Sequence, residues 1–362
     1  PNLRRAHQQH LFVTVWDDHE SANDAWTGGA ENHDPATEGD WETRKAEAIK
    51  AYYEWMPIRD CTGSIARTLS YGPLLDLIMV DTRLEGRDAQ ILDINNPALY
   101  APTRTLLGSL QKDWLKSELE HSTAKWKLIG NQVIFSEFNI GFAAGADPTG
   151  QSTPESLEST FLDIWDGYPA ERAELVNFIA TNGIDNVVFA TGDFHSSFAF
   201  EVVDPVIDPF TFMLNPAYDP STGAGAVAVE FASPSISAAN FDENIGAGTS
   251  DLLELIINQP IPVSPVGPLV NFNPHMKYAD LDRHGYFVLS VSPEAVQADY
   301  YFLEDILVPE TTETWGAGLV SQCGTNHLEF AAREATPKAV QDTPAPADPP
   351  AKPGWGRGRG RH

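Results

Sequence analysis

Val187-Val188-Phe189-Ala190-Thr191-Gly192-Asp193-Phe194-His195 decides the fold class. A short run of β-branched and aromatic residues closed by a turn reads as a buried strand. Beyond it, Gly192 permits a tight turn, and Asp193 and His195, two apart on extended backbone, share one side. Three other apolar runs, at 11–16, 74–80 and 126–129, are each followed by polar residues of the same kind. These are Asp17-Asp18-His19-Glu20, Asp81-Thr82-Arg83 and Asn131-Gln132. Helical patterns lie between the runs. Trp41–Trp55 is rich in Ala, Glu, Lys and Arg and stops at Met56-Pro57, where proline forbids continuation. Leu107, Leu110, Trp114, Leu115 and Leu119 recur at three- and four-residue steps, and Pro169 opens a third helix reaching the stop signal Asn182-Gly183. Strand and helix alternate, so four strand ends are expected at one edge of an open α/β sheet, where such sheets bind ligands.

After Glu201 the pattern changes. Segments 226–232, 286–291 and 295–303 alternate in polarity between Ser-Pro turns, as antiparallel strands do. The stretches 204–225 and 258–274 read as long irregular loops, and loops of that length usually have a function. From Ala335 the chain is rich in Pro, Ala and Asp and ends in an Arg-Gly repeat, the composition of a disordered tail.

A hydrophobic content of 42% with 10% aromatics is that of a globular protein. The formal charge of −28 disfavours nucleic acid as a partner and favours divalent cations. No run of about 18 apolar residues is present to span a membrane. Cys61 and Cys323 have no metal-type spacing and leave the compartment open. Pro1 stands only ten residues ahead of the first apolar run, which suggests a chain cut or processed within its domain.

Carboxylates, imidazoles and an Asn gathered at one sheet edge suit phosphate-ester hydrolysis, in which adjacent metal ions clamp phosphate oxygens and acidify a water. Asp18, Asp193 and His195 are the candidate metal ligands. His19 is either a ligand or the proton donor to the leaving oxygen, held by Asp17 or Glu20. Taken alone, Asp17 to Glu20 would serve equally as an acidic helix N-terminus. Asn23 offers an amide oxygen to a hard cation or an amide nitrogen to a phosphoryl oxygen. Arg83 suits bidentate phosphate binding or an ion pair with a carboxylate. His275 is a further candidate site residue, for which a structural core position is the favoured alternative. Serine and cysteine nucleophile motifs, Walker loops and dinucleotide fingerprints find no match.

Several blocks together resemble the PhoD-like alkaline phosphatase/phosphodiesterase family. They are Val15-Trp16-Asp17-Asp18-His19-Glu20 with Asn23-Asp24-Ala25-Trp26, Ala51-Tyr52-Tyr53-Glu54-Trp55-Met56-Pro57-Ile58-Arg59, Asp81-Thr82-Arg83 and Trp126 to Gln132. Trp165-Asp166-Gly167-Tyr168-Pro169, Thr191 to His195, Asn273-Pro274-His275-Met276-Lys277-Tyr278 and Arg283-His284-Gly285-Tyr286 continue the likeness to about residue 305. The resemblance implies an α/β fold, a calcineurin-like metallophosphatase sandwich of two β-sheets flanked by helices. It covers 1–334 as the catalytic domain, with 335–362 as the tail. It implies hydrolysis of phosphate monoesters and diesters with calcium (Ca2+) and ferric iron (Fe3+), in a protein exported by the twin-arginine route and expected to be monomeric. Asp18 and His19 stand where the superfamily's Gly-Asn-His-Glu motif supplies a ligand and a catalytic imidazole, and Asp193 and His195 where its later ligands fall. The family's iron-binding cysteine and Gly-Asp-x-x-Tyr motif would precede Pro1, so the domain is expected to be N-terminally incomplete. Phospholipase D-type phosphodiesterase activity, and non-catalytic calcium binding outside the cell, are the alternative functions.

Overall fold

The computed structural model describes residues 2–56, 58–59, 64–146, 150–207, 213–262, 269–308 and 312–336. Cys61 and nearly all of the expected tail lie outside the described residues. The strands are β1 (Arg67–Tyr71), β2 (Leu75–Met79), β3 (Trp126–Asn131), β4 (Val187–Thr191), β5 (Ser197–Val202), β6 (Ala228–Ala232), β7 (Ile261–Pro262), β8 (Leu269–Val270), β9 (Met276–Asp280), β10 (Gly285–Val291), β11 (Ala295–Leu303), β12 (Glu313–Gln322) and β13 (Glu329–Phe330). One sheet runs β1-β2-β3-β4-β6-β5-β9, a second β10-β11-β12-β13, and β7 pairs with β8 alone. In the first sheet β2, β3, β4 and β6 are mutually parallel, so their C-terminal ends share an edge. The second sheet is antiparallel throughout.

The helices are α1 (Asn2–Gln9), α2 (Pro35–Glu38), α3 (Trp41–Trp55), α4 (Gly108–His121), α5 (Pro154–Thr160), α6 (Pro169–Thr181), α7 (Phe241–Ile245) and α8 (Ala247–Ile256). The three helices read from sequence are α3, α4 and α6. Helix α3 is capped by Asp40, whose side chain accepts from Thr43 N, and ends at Met56. Helix α6 begins at Pro169, a first-turn position that needs no N–H, and is followed by Gly183 at φ 60°.

Period-two alternation gives the first sheet two apolar faces. Ile129, Val187, Phe189, Phe198 and Phe200 pack with Leu115 and Leu119 of α4 and Leu175, Val176 and Ile179 of α6. Trp126, Val188, Ala199, Val229 and Phe231 face the other way, onto Val296, Ala298, Tyr300, Phe302 and Leu319 of the second sheet. Each large side chain buried this way contributes about 1.5–3 kcal/mol. Two hydrogen bonds pin the sheets together: Tyr300 Oη donates to Phe198 O at 2.6 Å and Trp126 Nε1 to Ser292 O at 2.7 Å. The expected sandwich of two sheets with helices is the architecture found.

The run at 11–16 corrects a sequence expectation, because it forms no strand. Leu11 is almost fully exposed. Two of the segment's carbonyls are taken by side chains: Arg67 Nη2 donates to Thr14 O at 2.7 Å and Gln132 Nε2 to Trp16 O at 3.0 Å. It is extended chain docked on the sheet edge. The two long loops also hold more order than expected. The β7–β8 ladder lies in one, and the bridges Ile207–Leu214 and Asp219–Ala224 in the other.

Candidate metal centre

Four segments meet at the C-terminal edge of the parallel strands. Val80 continues β2, and Asp81-Thr82-Arg83 turns across the sheet end. Asp81 Oδ1 accepts from Arg83 N and Leu84 N, which shapes that turn. Its carboxyl is fully buried, and burial pushes its pKa up to about 6 against those two hydrogen bonds. Gln132, just past β3, is the central tie. Its Oε1 accepts from Thr82 N and Oγ1, and its Nε2 donates to Val80 O and Trp16 O. One amide side chain thereby joins the ends of β2 and β3 to the segment that carries Asp17 and Asp18.

The Asp17 to Asp24 stretch is a run of turns and starts no helix, which removes the helix-capping alternative. Asp18 is buried, with Oδ1 accepting from His19 N at 2.7 Å and Oδ2 from Asp24 N at 2.9 Å. Beyond β4, Asp193 and His195 both have left-handed backbone, at φ 63° and 60°. Non-glycine residues seldom adopt this conformation, and such strain collects at functional sites.

Among the described residues, one group of acidic, His or Cys side chains converges closely enough to hold a metal ion. Asp17, Asp18 and Asp193 each present a ligand atom, all within 4.8 Å of one another. Asp18 and Asp193 are therefore brought together as expected. The third member is Asp17, which the sequence suggested only as a support for His19. Neither acidic neighbour holds His19. Glu20 accepts from Asp17 N at 2.8 Å, Asp17 pairs with Arg83, and His19 stands exposed outside the cluster. His195 also lies outside the three-residue group. Its Nδ1 faces Ala239 O at 2.9 Å. A carbonyl demands a donor, so the neutral ring carries its lone pair on Nε2.

Arg83 and Asn23 differ from the expectation that they orient phosphate. Arg83 is completely buried, and its fork is spent on carboxylates: Nε to Asp17 Oδ1 at 2.6 Å, Nη1 to Asp163 Oδ2 at 2.5 Å and Nη2 to Asp193 Oδ1 at 2.7 Å. The ion-pair alternative is the one realised. Asn23 uses its amide nitrogen on Glu31 Oε2 at 2.6 Å, closing its own loop.

Asp163 is a member that sequence reading passed over. It receives Arg83, Nη2 of Arg87 at 2.6 Å and Nε2 of Gln90 at 2.6 Å. Burial would raise its pKa, but the two guanidiniums outweigh burial and hold it down near 2. The signal available was a lone acid in the apolar run Phe161-Leu162-Asp163-Ile164-Trp165. Asp24 responds oppositely: burial and the charge of Asp163 push it up to about 6. Asp193 also rises, first through burial and then through the crowding of Asp17, Asp163 and Asp18, despite its bond to Arg83. Among the described residues, Arg83 and Arg87 are the cations paired with this group of five acids, and a further cation would relieve its crowding.

The donor chemistry fits a hard cation. Three carboxylates are an oxygen set of the kind that calcium or magnesium takes.

In sequence, residues 1–300 match the PhoD-like phosphatase family. The chain belongs to that family. It is 30% identical over 330 residues to alkaline phosphatase D of Bacillus subtilis (strain 168), covering 89% of this chain and 49% of the relative. The solved structure of PhoD superposes with a TM-score of 0.66 at 27% identity, covering 89% of this chain and 55% of that one. This PhoD-like chain therefore spans about half the length of the relatives it matches. No helix among its described residues is long and apolar enough to cross a membrane.

His275, read from sequence as structural, is fully buried away from the carboxylates, with Nε2 facing Glu137 O at 2.8 Å. Burial lowers its pKa to about 3. The native ring therefore stays neutral while the unfolded one protonates near pH 6.5, so stability falls as pH drops from about 6.5 towards 3. In His275→Gln, the fall in unfolding free energy between pH 6 and pH 4 is expected to shrink by about 2–3 kcal/mol. Urea denaturation at the two pH values measures this, and an unchanged slope would refute it.

Proposed function

We propose that this PhoD-like chain supplies a metal-binding edge of a phosphoric ester hydrolase acting on phosphate monoesters and diesters. The observation that carries the proposal is the convergence of Asp17, Asp18 and Asp193 within 4.8 Å at the end of the parallel strands. Calcium is the favoured cation because every donor is a carboxylate. Ferric iron also accepts carboxylate oxygens and rests on the resemblance, which puts its own ligands ahead of Pro1. An exported location and a monomeric state belong to the same proposal and rest on the sequence resemblance alone.

A divalent cation at this cluster would neutralise phosphoryl oxygens and acidify a water. The chain's own residues supply order. Asp18 is fixed before substrate arrives by two backbone N–H groups, so little orientation entropy is lost when the site is used. The Ala239 carbonyl holds the His195 ring with Nε2 as acceptor, a tautomer able to bind a cation or take a proton. His19 sits exposed at the rim, where it can pass a proton to a departing alkoxide.

Release of nitrophenol from p-nitrophenyl phosphate and bis(p-nitrophenyl) phosphate tests the proposal. Turnover with calcium, falling at least about tenfold on chelation, is expected. Turnover indifferent to chelation would remove the metal from the scheme. One observation favours a second reading, cation binding without turnover: Arg83, the guanidinium nearest the cluster, is already occupied. Calcium binding with no hydrolysis of monoester, diester or phosphatidylcholine would establish that reading instead.

A further inference from the structure

Arg83 sits where the proposed hydrolysis has no use for it. All three nitrogens of this fully buried guanidinium meet carboxylates. Two of those carboxylates, Asp17 and Asp193, are members of the metal-binding group. The third, Asp163, is not, and it has independent partners in Arg87 and Gln90.

We propose that Arg83 is the site's built-in counter-cation: its fork holds Asp17 and Asp193 at ligand spacing until a divalent cation takes them over, leaving the guanidinium on Asp163. The inference rests on the cluster being a cation site. Two adjacent carboxylates with no cation between them repel each other, and one of them then splays away or takes up a proton. A planar guanidinium opposes the splaying by bonding each through a separate nitrogen in fixed geometry. Arginine keeps its charge at every accessible pH. Asp163 gives the displaced group a prepared place. The contact to Nη1 already exists, and Arg87 Nη2 and Gln90 Nε2 hold the Asp163 carboxylate from its other oxygen. Exchange thus needs Nε and Nη2 to release their partners, with no rebuilding of the Asp163 end. Arg83 is on this account a positioning residue. It keeps the site assembled when empty and weakens cation binding, since a positive charge beside the ligands repels the incoming ion.

The full chain, Arg83→Gln and Arg83→Lys are compared by calorimetric titration with calcium and by thermal melting with and without it. Metal-free Arg83→Gln is expected to melt below the full chain. Calcium is expected to raise its midpoint more than that of the full chain, because a ligand stabilises in proportion to its native-state affinity. Its calcium affinity is expected to be at least about tenfold tighter. Arg83→Lys, charged but unforked, should fall between the two. An Arg83→Gln chain that folds by circular dichroism and binds calcium no more tightly overturns the inference, and so does one that calcium fails to fold. If the unaltered chain binds no calcium, the cation-site reading fails with it; binding by the unaltered chain without tighter binding by Arg83→Gln defeats this inference alone.

Discussion

Asp193→Asn is expected to lower calcium-dependent kcat/KM by about a hundredfold or more, equivalent to about 2.7 kcal/mol of transition-state stabilisation. Asparagine is chosen because Asp193 has φ 63°, a conformation that Asn tolerates and Ala does not. The backbone turn after Gly192 therefore survives, and the change isolates the charge. The substitution leaves Asp17 and Asp18 facing the site without their third partner and deprives Arg83 Nη2 of an ionised acceptor. Calcium affinity should fall with activity, which calorimetry on the same preparation reads. A loss of less than about tenfold in either measurement would mean that Asp193 does not hold the cation.

Arg172→Met is expected to produce the largest loss of stability, about 3–5 kcal/mol, the range found when one partner of a buried charge network is removed. Arg172 lies on α6, nearly fully buried, with Nη1 on Asp166 Oδ1 and Nη2 at 3.5 Å from both Glu137 Oε1 and Asp204 Oδ1. These acids come from three different connections, so one guanidinium joins the helical layer to the sheet end. Glu137 is already pushed up to about 8 by burial, with the neighbouring Asp204 and Asp166 adding to it against the pull of Arg172. Without the arginine the three carboxyls would have to share protons or take in water. Urea denaturation is the measurement, with the midpoint expected to fall by roughly 1–3 M at an ordinary slope for a chain of this kind. Methionine fills the volume of the lost stem, so a shift below about 1 kcal/mol would show that the charge network contributes little.

Much of the fold was legible because strand and helix carry different periods. Three of the four parallel strands were read from runs ending in Val80, Ile129 and Ala190, and three helices from three- and four-residue spacing and their proline boundaries, whereas β6, read as antiparallel, is so only towards β5 and runs parallel to β4. Residues 11–16 defeated the same logic. An apolar run records a preference for burial and extension, but pairing depends on whether a neighbour offers a free ladder, and here Arg67 and Gln132 satisfy the carbonyls instead. Asp18 and Asp193 were legible through their place after apolar runs. Asp17 was weighed only as a support, because its role depends on Arg83, 66 residues away. Asp163 was invisible for a similar reason, its partner being 80 residues distant. Local sequence announces which groups can do chemistry; which of them face one another is set by tertiary packing.

The side-chain docking of residues 11–17 makes the two halves of the cluster mechanically unequal. Asp193 follows a central strand by two residues, and that strand is laddered in parallel on both sides. Asp17 and Asp18 ride on a strap whose neighbouring carbonyls are fastened by two long, rotatable side chains. Behind the carboxylates the strap is anchored by Trp16, which is buried against Tyr52 and Tyr53. The cluster thus joins one carboxylate carried just past a central strand to two carried on a strap that side chains fasten.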